Sequence, residues 1–360
     1  MRKIGRREML QASGIAATTL ITSGTGTASS SSSAGKQKLR LRANPSNPLS
    51  IPEIYEQKEA VIRNSSLYEK SSPVPSMQAK GFSENEKILA YNFDIINGVP
   101  TEWTGTYKSI PDAKMASAST AEVSKKERRE AAKQRVFNKA AADAQEKRER
   151  KNNTTDDSVT QSSVSTSTTT DSWSDWTKKA ESDNYITSDN GNDLSWESKW
   201  KHDPSDTSQQ GLNTELIMRP YDQGLNPWEN VDCEIDFDYN GSTFKEIADY
   251  GPGNSIGTNT DTFNLAVSSD SVVQVGISSS TTSSNIDIDN KSDTDANYVY
   301  HWYDISGDLT TNTVRVNQSA VTAGTDPSGT VTYCDQDLQG VFNSPGGREY
   351  VNKEIKVEWV

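Results

Sequence analysis

Four aspartates within nine residues, Asp287, Asp289, Asp293 and Asp295, with Asn290 and Ser292 among them, are the densest group of oxygen ligands in the chain. A hard cation such as calcium takes about six to eight oxygens, and a loop of alternating acids could supply them. Calcium is therefore the one cofactor this stretch suggests. The spacing departs from an EF-hand and the turn glycine is missing, so an exposed acidic turn explains the same residues. Just downstream, Tyr298, Tyr300 and Trp302 alternate with Val299, His301 and Tyr303, which places the two sets on opposite faces of a strand. Aromatic rows on sheets either stack sugar rings or fill a sandwich core, and one of the two faces has to be buried. The core is the favoured reading of such a row, with Tyr298, Tyr300 and Trp302 as candidate glycan contacts if theirs is the outer face. Trp173, Trp176, Trp196 and Trp200 pose the same choice.

Nucleophilic or metal chemistry has less to work with. His202 and His301 are the only histidines, and no nucleophile elbow, phosphate loop or metalloprotease motif accompanies them. Acids are so numerous that no particular carboxylate pair stands out, and no catalytic residue is assigned. The two cysteines, Cys233 and Cys334, lie about one hundred residues apart and remote in sequence from either histidine, which argues against zinc. In an oxidising compartment the expectation is a Cys233–Cys334 disulfide, worth roughly 4–5 kcal/mol through chain entropy.

Strands must position these groups. From about residue 172 the pattern has period two: Val231, Cys233, Ile235, Phe237 and Tyr239 alternate with Asp232, Glu234, Asp236 and Asp238, as in a half-buried strand with an acidic outer face. Eight similar runs follow or precede it, separated by Gly, Ser, Asn and Asp turns with no helical period between them. Residues 172–360 therefore read as an antiparallel β-sandwich or jelly-roll-like domain, and the chain as mainly β.

The first half is organised differently. Lys36, Lys38, Arg40 and Arg42 alternate and read as a solvated tail rather than an edge strand. Ile51–Ile62 suggests a short helix with an early proline. Ile88–Ile96 reads as a strand, Asn97-Gly98 as a tight turn and Val99–Tyr107 as the returning strand, so residues 29–118 make at most a small mixed module of low order. Residues 119–151 read as one long charged helix, opened by the capping-box spacing Ser119–Glu122 and carrying only a thin stripe of Val136, Ala140 and Ala144. Residues 152–171 are a Ser/Thr-rich linker, too polar to bury anything. Glycosylation sequons occur at Asn64, Asn152, Asn153, Asn240, Asn290 and Asn317.

Only 32% of the 360 residues are hydrophobic and the net charge is -13, with a mean hydropathy of -0.77; part of the chain is expected to be disordered. The charge is unevenly spread. Residues 1–170 carry 26 basic against 18 acidic side chains, and residues 171–360 carry 11 against 32. The acidic half excludes nucleic acid and anionic lipid as partners. No segment has the roughly 20 apolar residues that a membrane helix needs.

At the amino terminus, Gly5-Arg6-Arg7-Glu8-Met9-Leu10 precedes the mild apolar run Gly14–Ile21 and a cluster of small residues. This n-region, h-region and cleavage-site order is that of an export signal. It resembles a twin-arginine (Tat) signal peptide over residues 1–28, with Arg6 and Arg7 as the export pair. The resemblance implies the Tat translocase as export partner and a secreted or cell-surface destination for folded cargo. An acidic, Asp/Thr/Ser-rich domain behind such a signal is similar to exported proteins of salt-loving archaea, whose carboxylates keep the surface hydrated at high salt. The leading expectation is an extracellular binding or surface-interaction module for a glycan or cell-surface ligand. A secreted halocin-like antimicrobial protein with a basic pro-region, and a secreted hydrolase, are the alternatives.

Overall fold

The structure, a computed structural model, describes residues 38–43, 46–65, 74–80, 82–109, 176–204, 206, 208–221, 227–239, 246–251, 260–267, 273–280, 285–324 and 329–360, with 131, 134–136 and 138. The expected signal at 1–28 with Arg6 and Arg7, the linker at 152–171 and most of the long helix lie outside these residues. In chain order the strands are β1 (Lys38–Arg42), β2 (Pro75–Lys80), β3 (Glu86–Ile96), β4 (Val99–Lys108), β5 (Thr177–Ser188), β6 (Asp193–His202), β7 (Gln209–Arg219) and β8 (Glu229–Asp238). They continue as β9 (Glu246–Gly251), β10 (Thr260–Val267), β11 (Val273–Ser280), β12 (Ile286–Asn290), β13 (Tyr298–Ile305), β14 (Val314–Ala323), β15 (Val331–Ser344) and β16 (Gly347–Trp359). The fold is mainly β, as expected.

Two sheets form a sandwich. The larger has the order β1-β3-β4-β5-β6-β7-β14-β9 and the smaller β12-β13-β8-β15-β16-β2, while β10 and β11 pair only with each other. Alternation decides what lies between the sheets. Leu194, Trp196, Trp200, Leu212, Leu216, Val314 and Val316 from the larger sheet share one buried cluster with Cys233, Ile235, Phe237, Tyr303, Leu338, Phe342, Ile355 and Val357 from the smaller. Polar side chains also bridge the layers: Ser198 and Thr214 hydroxyls bond the Gln336 amide oxygen at 3.1 and 2.9 Å. The β3–β4 hairpin turns at Asn97 and Gly98, both at positive φ, the conformation that the right-handed twist of the flanking strands favours.

Helix α1 (Ile51–Arg63) starts where Ser50 Oγ accepts the Glu53 amide at 3.3 Å, with Pro52 in the first turn. Its buried positions are Ile54, Lys58 and Ile62, one stripe at four-residue spacing. The two isoleucines pack with Leu39, Leu41, Ile88, Tyr91 and Phe93 on β1 and β3. Lys58 instead reaches both sheets, bonding Ser76 of β2 at 2.9 Å and Glu102 of β4 at 2.5 Å.

Three expectations need correction. Residues 38–42 are not a tail: β1 is an edge strand on β3, held because Leu39 and Leu41 bury inward between Lys38, Arg40 and Arg42. Nor do residues 172–360 make up the sandwich by themselves. β2 pairs with β16 and β4 pairs with β5, so the first half supplies strands to both sheets. The β4–β5 pairing is parallel, and parallel neighbours need a crossover connection. Residues 109–176 are that crossover, and the boundary drawn at 172 falls within it. The described helical residues of the crossover sit on the outer face of the larger sheet. There Val136 is fully buried with Ala90, Trp103, Tyr107 and Tyr185, and Gly105 leaves room for the Val136 side chain, which lies 2.7 Å from where a Cβ would be.

The third correction concerns the cysteines, which are buried free thiols. They sit on neighbouring strands, but the register places Cys233 opposite Gly340, six residues along β15 from Cys334. That is roughly 20 Å at strand rise, and a disulfide needs Cα atoms within roughly 7 Å. Burial, with nearby carboxylates second, raises both thiol pKa values, which keeps them unreactive.

Candidate binding face

The outward row of β8 is Asp232, Glu234, Asp236 and Asp238, because Cys233, Ile235 and Phe237 point into the core. Backbone register then dictates its neighbours. On one side Tyr298, Tyr300, Trp302 and Asp304 of β13 lie opposite Asp238, Asp236, Glu234 and Asp232. On the other side Asp335, Asp337 and Gln339 of β15 lie opposite Asp238, Asp236 and Glu234, and Glu354 of β16 lies opposite Asp337. Directly opposed like charges destabilise a sheet. Here Asp236 faces Asp337, Asp337 faces Glu354, and Asp238 faces Asp335.

The candidate glycan contacts Tyr298, Tyr300 and Trp302 are half-buried on this outer face, while Val299, His301 and Tyr303 are buried. The Tyr300 hydroxyl donates to Glu234 at 2.7 Å, the Trp302 indole N–H donates to Asp304 at 3.0 Å, and Gln339 donates to Glu234 at 3.1 Å. Burial and the bond to Glu234 raise the Tyr300 pKa. Lys291 lies with its Nζ 5.8 Å from the Tyr300 ring centre and 5.5 Å from that of Trp302, within cation–π range.

Asp236 and Asp232 are not ordinary acids. Burial first, then repulsion from Asp337, Asp238 and Glu234, pushes Asp236 up to about 7. Burial pushes Asp232 up to about 6 against the pull of Arg348, with Asp304 and Glu234 adding repulsion. An unfolded aspartate titrates near ~3.9. Between about pH 4 and 7 the folded chain therefore holds more protons than the unfolded one, and stability falls as pH rises through that window. Replacing Asp236→Asn removes this contribution. At pH 8 the variant should be more stable than the parent by about 1–2 kcal/mol, allowing for solvent screening of a half-exposed group, and at pH 4 it should show no gain. Urea midpoints at the two pH values check this; an equal change at both would show that repulsion plays no part.

The acidic stretch singled out for calcium lies at the edge of the same sheet. Asp287 and Asp289 are on the strand β12 rather than in a loop, exposed because Ile286 and Ile288 point inward. Asp289 pairs with Lys291 at 3.2 Å, and Asp293 Oδ1 accepts the amides of Asp295 and Ala296 at 3.1 Å, as a turn cap does. Among the described residues the acidic oxygens that converge as metal ligands do are those of Glu181, Asp183 and Glu197, within 4.8 Å of one another. They lie on the outer face of the larger sheet, where Asp183 is opposite Glu197. Lys178 reaches Glu181 at 2.8 Å and Lys199 reaches Glu197 at 3.3 Å. Burial and Asp183, opposed by Lys199, push Glu197 up to about 8. Sequence reading missed this trio. Only the alternation of Glu181 with Asp183 hinted at it, and the polar run around them hid the strand.

Of the remaining candidates, Trp173 lies outside the described residues, Trp176 is buried, and two others serve the core. Trp196 and Trp200 lie between the sheets, with Trp200 stacked on Tyr333 at 4.7 Å. The two histidines are on different sheets. His301 is fully buried, its Nδ1 2.8 Å from Gln318 Oε1 across the sandwich. No protein-family model matches the chain, and a search of the curated proteins gave no match.

Proposed function

We propose that this chain is an exported binding module, carried out of the cell by its Tat-type signal. The outer face of the six-stranded sheet engages an extracellular glycan or other cell-surface ligand. The observation that supports this reading is the outward row Tyr298, Tyr300 and Trp302 on β13, bordered by carboxylates, while the reverse of the same strand fills the core. Aromatic rings with a polar handle are the side chains that bind apolar sugar faces and still keep a hydrogen bond. The flanking Glu234, Asp236 and Asp304 offer acceptors for hydroxyl or amino groups.

Each half of the proposal has its own test. The purified chain, screened on a glycan array, should bind a defined subset of glycans, and Tyr300→Ala with Trp302→Ala should weaken that binding about ten- to a hundredfold. Binding that survives both substitutions would place the ligand elsewhere. For export, Arg6→Lys with Arg7→Lys keeps the charge and should leave the precursor inside the cell; normal secretion of that variant would rule the Tat route out.

A further inference from the structure

The carboxylate rows of this face have too few cations. Among the described residues no lysine or arginine comes within ion-pair distance of Asp232, Glu234, Asp236, Asp335 or Asp337, although Asp289 and Glu215 have such partners; Lys356 and Lys80 act on Asp335, and Arg348 on Asp232, only from farther away. Asp232 is the sharpest case. It is only 5% exposed, and its Oδ1 accepts no hydrogen bond, although it lies on the acidic face opposite Asp304. Asp236 Oδ1 is likewise buried and accepts none. A buried carboxylate oxygen without a partner is costly; the Asp236 carboxyl has the Phe237 amide and Asp232 has the pull of Arg348, and an ammonium laid on the face would offset the charge that remains.

Geometry narrows what the cation belongs to. Strands pack about 4.8 Å apart, and residues on one face of a strand repeat about every 6.8 Å. Glu234, Asp236 and Asp238 therefore form a row with the side-chain repeat of an extended peptide. The face is an open sheet surface, which suits a chain laid across it better than a small molecule, since small molecules favour concave sites. The molecule also shows which group suits the aromatic end: the alkylammonium of Lys291 already lies over Tyr300 and Trp302. We propose that this face docks an extended, lysine-rich segment of a partner protein, with ammonium groups among Glu234, Asp236, Asp238 and Asp337 and on the Tyr300–Trp302 rings. This rests on the reading of the same face as the binding surface and names the ligand's chemistry.

The probe is an octalysine peptide titrated calorimetrically into the full chain at about 0.15 M salt, where charges beyond about 8 Å are screened. Asp236→Asn with Asp337→Asn should weaken binding about tenfold or more. Because it relieves repulsion, that variant should stay folded. Glu56→Gln with Glu59→Gln, which removes the same charge from exposed positions on α1, should change affinity less than about twofold. Equal losses in the two variants would reduce the interaction to net charge and overturn the proposal. So would binding of free spermine, but not octalysine, through the Asp236–Asp337 pair. Selective glycan binding that depends on Tyr300 and Trp302, with no octalysine binding, would overturn the lysine-rich partner and leave the binding-module reading standing.

Discussion

A chain beginning at residue 172 should show no cooperative thermal transition. It would lack β1 to β4, α1 and the crossover, so β5 would lose the parallel partner that runs from Thr101 to Lys108 and β16 would lose β2. Exposed edges are only part of the damage. Lys353, with a side chain 1% exposed, would lose Glu86, its partner at 2.8 Å; stranding a buried charge costs about 3–5 kcal/mol. Tyr185 would lose its cover of Trp103, Tyr107 and Val136, and Met77 would leave the main core. Each large apolar group removed from a core costs about 2–5 kcal/mol. Together these losses match the whole stability of an ordinary domain, about 5–15 kcal/mol. Near-UV dichroism and limited proteolysis of the truncated chain against the full chain measure the outcome. A cooperative, protease-resistant 172–360 fragment would show that the crossing strands are dispensable. High salt should not rescue it, because what is missing is hydrogen bonding and packing rather than long-range attraction between the halves.

Lys58→Met should destabilise the chain by about 3–5 kcal/mol, although methionine packs well and the site is buried. The loss comes from what is left behind. Glu102 is buried, and without Lys58 its carboxylate keeps only the Tyr91 hydroxyl at 3.0 Å; Ser76 Oγ also loses its donor. Adding Glu102→Gln to Lys58→Met removes the stranded charge but retains an acceptor for Tyr91, and should recover most of the loss. Urea unfolding of the two variants separates the terms. A single-variant loss under about 1 kcal/mol would mean that water reaches Glu102 and that the pair does not tie α1 to both sheets.

Much of the architecture was legible from residue order because its cause is local. Half-buried strands announce themselves by alternation, and the β8 row, the β3–β4 hairpin with its Asn97-Gly98 turn and α1 with Ser50 and Pro52 at its start all appear where pattern and turn chemistry place them. Which side of β13 faces outward was not legible: alternation separated Tyr298, Tyr300 and Trp302 from Val299, His301 and Tyr303, and only the packing of the two sheets put the first set outside. Strand β5 left no such trace. Ser182, Asn184, Thr187 and Ser188 are all buried in it, so many of its buried positions are polar, and a hydropathy pattern cannot show it. Everything that depends on register was set by the tertiary structure alone. Register separates Cys233 from Cys334 by six residues on adjacent strands, makes β4 the parallel neighbour of β5 across a long crossover, and brings Glu197 beside Asp183. It also places Asp337 and Glu354 in line with Asp236, about one hundred residues away in the chain. Residue types fix which side chains can repel, bond or stack, but pairing between distant strands decides which of them meet, and that pairing is a property of the whole sandwich.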